Sequence, residues 1–134
     1  MTVLSEEYVP RDFFYSKSHI WASVEESSVT FGITEFCLNQ IGEVMYVDLP
    51  EVGDKCLINF SCGSLESVRH IIDLELPLNC LIFEINKDIV KTPALINDDP
   101  YGKGWLLRAE FEHDRELAQL LRHKEYLKYI TSNF

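Results

Sequence analysis

The residue types most able to do chemistry gather in one short stretch, Glu66-Ser67-Val68-Arg69-His70, which offers a carboxylate, a hydroxyl, a guanidinium and an imidazole within five positions. A guanidinium stays protonated and presents its donors to anions, while an imidazole titrates near neutrality. Arg69 and His70 therefore form a cationic or pH-switchable tip beside Glu66 and Asp73. Two readings follow: a contact surface for an acidic partner or anionic group, or a turn whose charges meet only water. Neither is catalytic, and no nucleophile-elbow or phosphate-loop sequence appears elsewhere in the chain. His19, His113 and His123 match no ligand spacing with the cysteines, so neither a catalytic residue nor a metal site is expected.

Cys37, Cys56, Cys62 and Cys80 lie far apart, with no pair at the two-residue spacing that chelates zinc or poises a redox disulfide. They read as buried free thiols. Cys62 and Cys80 both fall on expected strands, where they would be candidates for core neighbours.

The elements that must position the tip are mostly strands. Apolar residues recur on both sides of residues 66–70, so a strand over residues 62–68 and a return strand over residues 71–76 make a hairpin with the tip in solvent. Upstream, residues 1–12 read as an irregular lead-in, and Phe13-Phe14-Tyr15 opens the first apolar patch. Residues 20–24 and 28–33, rich in aromatic and β-branched side chains, flank Glu25-Glu26-Ser27 as a hairpin. Thr34 caps a short helix that runs to Gln40 or Ile41 and stops at Gly42. The consecutive apolar residues over 43–49 predict a strand covered on both faces. Residues 55–60 are expected to pair with residues 62–68, and residues 80–86 form the most strongly β segment. A Pro- and Gly-rich loop over residues 93–104, with a single helical turn, precedes a last strand over residues 105–111. Asp114 caps a helix with Leu117, Leu120 and Leu121 on one face, and a second helix from about Lys124 is anchored by Leu127 and Ile130.

At 134 residues the chain is long enough to bury a core without disulfides or metal, and its 46% hydrophobic content fits a folded protein. Lys and Arg number 12 against 22 Asp and Glu, a formal charge of −10, which repels phosphate backbones and anionic lipid surfaces. Nucleic acid and membrane are therefore not expected as partners. No apolar run approaches the roughly 18 residues of a membrane span. Met1-Thr2-Val3-Leu4-Ser5-Glu6-Glu7 has no export or transit character, so a cytoplasmic location is expected, or a mitochondrial one if a leader has been removed.

Several separate motifs occur in the order of one family. Tyr15-Ser16-Lys17-Ser18-His19-Ile20-Trp21, Phe31-Gly32-Ile33-Thr34, residues 41–53, Glu66-Ser67-Val68 and Asn97-Asp98-Asp99-Pro100-Tyr101-Gly102-Lys103-Gly104-Trp105-Leu106 together resemble the H protein of the glycine cleavage system. The resemblance runs from about residue 13 to residue 130. It implies a lipoyl-domain-like, flattened β-barrel or sandwich (a barrel-sandwich hybrid) with short peripheral helices. A single domain over residues 1–134 is expected, with its core at about 13–112 and C-terminal helices at about 114–130. It also implies lipoate as the family cofactor and the glycine cleavage P, T and L proteins, or lipoate-attaching enzymes, as partners.

In that family the residue after Glu-Ser-Val is the lysine that carries lipoate through an amide; here it is Arg69. An amine must lose its proton to attack an acyl adenylate, which a guanidinium does not do. No covalent lipoate is therefore expected at Arg69, and no lysine lies between Lys55 and Lys87 to replace it. The family's small residue after the lysine is His70, and a turn glycine is replaced by Cys80, so Asn79 is expected to take over positive φ. The resemblance also gives His19 a scaffold place beside Trp21, and Trp105, Tyr101 and Gly104 a packing role. Three functions are compatible: a binding or adaptor protein without its carrier site, a working carrier with lipoate at an unexpected site, or an adaptor in another lipoate-linked or redox pathway.

Overall fold

The computed structural model describes residues 8–133; the first seven residues of the expected lead-in, and with them the N-terminal reading, lie outside the described residues. Two antiparallel sheets face each other. The larger runs in the order β1 (Phe14–Tyr15), β2 (Ile20–Glu25), β3 (Ser28–Ile33), β9 (Leu107–Phe111), β8 (Cys80–Ile85) and β5 (Lys55–Cys56). The smaller is β4 (Val44–Asp48), β6 (Ser64–Ser67) and β7 (Ile71–Asp73). This is the mostly β, sandwich-like architecture that the sequence predicts, with short helices at its edges: α1 (Glu35–Ile41), α2 (Lys87–Lys91), α3 (Ala94–Asp98) and α4 (His123–Asn133).

The first hairpin forms as expected, in register from Ile20 opposite Ile33 to Glu25 opposite Ser28. Its loop is only Glu26-Ser27, and Glu26 takes φ 57° to close it. Thr34 caps α1, its hydroxyl accepting from the Cys37 amide at 3.3 Å, and Gly42 ends the helix at φ 83°.

Other expectations are corrected. The strand over residues 43–49 is not covered on both faces: Met45 is 47% and Tyr46 68% exposed. A bulge between Val44 and Tyr46 turns two consecutive side chains outward, so an unbroken apolar run does not mean two-sided burial here. Residues 55–60 do not pair with residues 62–68. Only Lys55 and Cys56 are in a strand, and they pair with β8. Asn59 at φ 73° interrupts the extended chain, and the Ile58 amide donates to Asn79 Oδ1 at 2.8 Å instead of to a strand.

Asn79 does not adopt positive φ; its side chain spans Ile58 and Glu116, and Cys80 begins β8 in ordinary extended backbone. The return strand stops at Asp73 rather than Leu76, and the last strand begins at Leu107 rather than Trp105. The turn expected between residues 93 and 104 is α3, while α2 went unforeseen. Asp114 opens a six-residue 3₁₀ segment, Asp114–Gln119, with no side-chain cap. The leucines expected on one helix face diverge: Leu117, in this segment, and Leu120, just after it, pack on the main core, whereas Leu121 packs on the cluster beneath α4.

The main core lies between the sheets and includes Ile20, Phe31, Leu65, Leu74, Ile82 and Leu107. A second, aromatic cluster joins Tyr15, Trp21, Phe36, Tyr126 and Ile130. Trp21 Nε1 donates to the Pro100 carbonyl at 3.0 Å, and Gly32 passes so close that a Cβ there would lie 2.3 Å from the indole. The side chain of Tyr126 is fully buried and stacks on Tyr15 with ring centroids 4.6 Å apart. Its hydroxyl lies 2.8 Å from both His19 Nδ1 and Thr34 Oγ1. Ile130 is buried as expected, Leu127 only half-buried.

Burial holds the His19 imidazole below its ordinary pKa of 6.5. The unfolded chain restores a value of about 6.5, so below that pH the unfolded state takes up a proton first. Stability is expected to fall as pH drops from about 6.5 through the lowered folded value, with no contribution from this group above 6.5. His19 sits at φ 71°, a conformation asparagine also tolerates, so His19→Asn keeps the backbone while removing the titration. Urea midpoints at about pH 7.5 and about pH 5.5 are expected to separate less in this variant than in the parent chain; equal separation would exclude His19.

Candidate functional site

The tip forms where β6 turns into β7. Along β6 the side chains alternate, Leu65 and Ser67 inward and Glu66 outward, because one face of the small sheet covers the core. Ser67 builds the turn itself. Its hydroxyl oxygen accepts from the amides of Arg69 at 3.2 Å and His70 at 3.0 Å, and it donates to the His70 carbonyl at 3.2 Å. The Ser67 amide also donates to the His70 carbonyl at 2.8 Å. A serine that satisfies two amides at once is a local turn device that needs no glycine.

Val68, Arg69 and His70 are exposed, as the sequence predicts for a hairpin tip, with Val68 at 63%. The turn is nonetheless tied down at its side. The Val68 amide donates to the Glu43 carbonyl at 3.2 Å. Arg69 folds back, its guanidinium donating to the Gln40 carbonyl at 3.2 Å. That carbonyl is among the last of α1, where the helix leaves acceptors unpaired and carries partial negative charge. Arg69 is thus not surrounded by water alone: it bridges the hairpin tip to the end of a helix.

Asn97 holds this arrangement from below. Its Oδ1 accepts from the Val44 amide at 2.9 Å and its Nδ2 donates to the Gly42 carbonyl at 3.1 Å, fixing the crossing from α1 to β4. A Cβ at Gly42 would come within 3.2 Å of Val68 and 3.8 Å of the Arg69 guanidinium, so glycine also lets the tip approach. Gln40 and Gly42 act through main-chain oxygens, which no residue type announces. Asn97 was visible only as part of a longer motif.

The outer face of the small sheet adds Tyr46 and Ile71, which the sequence did not single out, to Glu66 and Asp73, which it did. Tyr46, Glu66 and Ile71 stand in register across its three strands, with Tyr46 68% and Ile71 71% exposed. Asp48, Ser64 and Asp73 form the next row on the same face. Beside the tip there is therefore a surface that alternates large apolar and acidic side chains. The unbroken run Val44-Met45-Tyr46-Val47 carries no alternation that marks Tyr46 as outward-facing; the bulge in β4 turns it there.

The remaining chemically able residues do not converge on the tip. His19 is built into the Tyr126 network and His123 Nδ1 lies 2.9 Å from the Val9 carbonyl. Among the described residues no group of three or more His, Cys, Asp or Glu could hold a metal ion, and no helix is long and apolar enough to cross a membrane. Tyr101 and Trp105 serve packing: the Tyr101 hydroxyl accepts from the Glu35 amide at 2.9 Å, and the Arg108 guanidinium lies 4.9 Å from the Trp105 ring.

Comparison with known proteins agrees with this layout. The family model described as glycine cleavage H-protein matches residues 13–133. A glycine cleavage system H protein of Carboxydothermus hydrogenoformans is 37% identical over 122 residues, covering 91% of this chain and 94% of the relative. One from Herpetosiphon aurantiacus is 38% identical over 123 residues, 92% of this chain and 94% of the relative. The crystal structure of a glycine cleavage system H protein from Mycobacterium marinum superposes with a TM-score of 0.79 at 31% identity, covering 93% of this chain and 98% of that one. With matched motifs, a shared fold and similarity over nearly the whole described length, the chain belongs to the glycine cleavage H-protein family.

Proposed function

We propose that this chain is a non-catalytic binding or adaptor protein for glycine-cleavage or lipoate-metabolism enzymes, built on the H-protein scaffold but carrying no lipoate at position 69. The observation that carries this reading is the tip itself. The residue that follows Glu66-Ser67-Val68 presents a guanidinium, and that guanidinium is engaged with the Gln40 carbonyl. A guanidinium keeps its proton and delocalises its lone pairs, so it makes no amide with an activated carboxylate. The flanking lysines lie elsewhere: Lys55 pairs with Leu81 at the far edge of the large sheet, and Lys87 opens α2.

What the scaffold offers is a surface. Tyr46, Ile71 and Val68 offer apolar contact beside Glu66, Asp48 and Asp73, and a face of this kind buries area while its charges select the partner. The family works with the P, T and L proteins, and these together with a lipoate ligase are the partners to test. In surface-binding measurements with the immobilised chain, at least one of the four is expected to bind saturably. Ile71→Asp is expected to weaken that binding about tenfold, roughly 1.4 kcal/mol. If none binds while all bind a lysine-bearing family member, the adaptor reading fails. If chain isolated from its own cells carries lipoate, it is instead a working carrier with an unexpected attachment site.

A further inference from the structure

The hairpin that carries the tip also ends the small sheet, with β7 as its outer strand. The even-numbered residues of this strand spend their main-chain groups on the neighbouring chain. The His70 carbonyl accepts from Ser67 at 2.8 Å, the Leu74 amide donates to Gly63 at 2.9 Å, and the Leu74 carbonyl accepts from Cys62 at 2.9 Å. Main-chain groups of successive strand residues point to opposite sides, so Ile71 and Asp73 turn theirs away from β6. Among the described residues no partner meets them there.

The other sheet ends offer less. Tyr15 of β1 exchanges both main-chain bonds with Leu121, each at 2.8 Å. Helices α2 and α3 lie against β4, and Asn97 takes the Val44 amide. At β5 only Lys55 and Cys56 are extended, too few for a further ladder.

Side chains along β7 define what an added strand must carry. Ile72 is half-buried at the margin of the main core, between exposed Ile71 and Asp73. A strand laid against β7 places alternate side chains beside Ile72, where an apolar one extends the cover of the core. The others fall on the outer face beside Asp73 and the exposed Glu75, where Glu66 and Asp48 also stand. None of β4, β6 and β7 contains a lysine or arginine, so this face carries acidic charge with nothing basic in its own strands.

We propose that β7 is a docking edge for an extended basic segment of a partner protein, apolar and Lys or Arg side chains alternating along it, which adds a strand to the small sheet. Main-chain bonds to Ile71 and Asp73 hold the segment, and cross-strand pairs with Asp73 and Glu75 select its charge. A second copy of this chain is the poorer fit, because it brings a formal charge of −10 and the same acidic row to the edge. This docking mode rests on the adaptor role proposed above and specifies how the partner takes hold.

The test titrates the isotope-labelled chain with the acetylated, amidated peptide Lys-Val-Lys-Val-Lys-Val-Lys at low salt, read by amide chemical shifts. Shifts are expected to centre on residues 71–75, with a Kd of about 100 µM. Two further peptides, N-methylated at every valine or at every lysine, keep the charge but block one edge each. One of them is expected to bind at least about tenfold more weakly and the other like the parent peptide. Asp73→Pro removes an outward amide and no bond to β6, and is expected to weaken binding at least about tenfold, against about threefold for Asp73→Asn.

Equal binding of all three peptides, shifts centred elsewhere, or no binding at about 1 mM would overturn the proposal. So would a dimer of the parent chain, seen by sedimentation, that Asp73→Pro dissolves. The peptide needs none of the four enzymes named above, so the docking edge and the adaptor role fail separately.

Discussion

The parent chain is expected to take up no lipoate, and replacing Arg69 by lysine is expected to let it take up a single lipoyl group. The turn should survive the exchange, because its bonds to Ser67 use the amides of residues 69 and 70 and not the Arg69 side chain. What changes is the group at the end of the side chain. Lysine has a lone pair once deprotonated and retains little of the planar donor geometry that holds Arg69 on Gln40, so an amine is released at an exposed tip. The effect is all-or-none, and intact mass after incubation with lipoate ligase, ATP and lipoate reads it directly. Modification of the parent chain would overturn the assignment of position 69. If neither protein is modified, the ligase no longer recognises this face, and an adaptor unconnected with lipoate becomes the better reading.

The largest loss of stability is expected from Tyr126→Ala, at about 3–5 kcal/mol. The side chain is wholly buried, stacks on Tyr15 and places its hydroxyl on His19 and Thr34, so one residue joins α4 to the cap of α1. Tyr126→Phe isolates the polar part. It keeps the ring and removes the hydroxyl partner of two half- or fully buried groups, which is expected to cost about 1–3 kcal/mol. Urea unfolding of the two variants measures both terms. A loss below about 1 kcal/mol for the alanine variant would mean that α4 is not coupled to the rest of the fold as the structure shows it.

Local signals in the sequence carried the local structure. The alternation and β-branched residues around Glu26-Ser27 predict the first hairpin, and Thr34 and Gly42 bracket α1 because capping is a property of a few neighbouring residues. Pairing between distant segments was less accessible. Residues 55–60 read equally well beside residues 62–68, and only the backbone reversal at Asn59 and the closure of the sheet on β8 direct Lys55 and Cys56 elsewhere. Cys56 stands opposite Cys80 only through that pairing, so spacing alone could not reveal it.

The tip illustrates the same division. Ser67, Arg69 and His70 were legible as a polar turn, since their neighbours are apolar at strand period. The contact of Arg69 with Gln40 was not, because its acceptor is a main-chain oxygen and every residue has one. Likewise Tyr46 and Ile71 became a surface only when the β4 bulge and the β6 register placed them in one row.

The hydrogen bond from Arg69 to Gln40 has a consequence for how tightly a partner can hold this chain. A long side chain that sweeps freely must give up its rotational freedom when it docks, and for a rotamer-rich residue that loss is about 0.5–1.5 kcal/mol. Arg69 has surrendered part of this freedom before any encounter. Any partner that docks on this hairpin would therefore meet a preset contour at Arg69, with less ordering left to do at the tip.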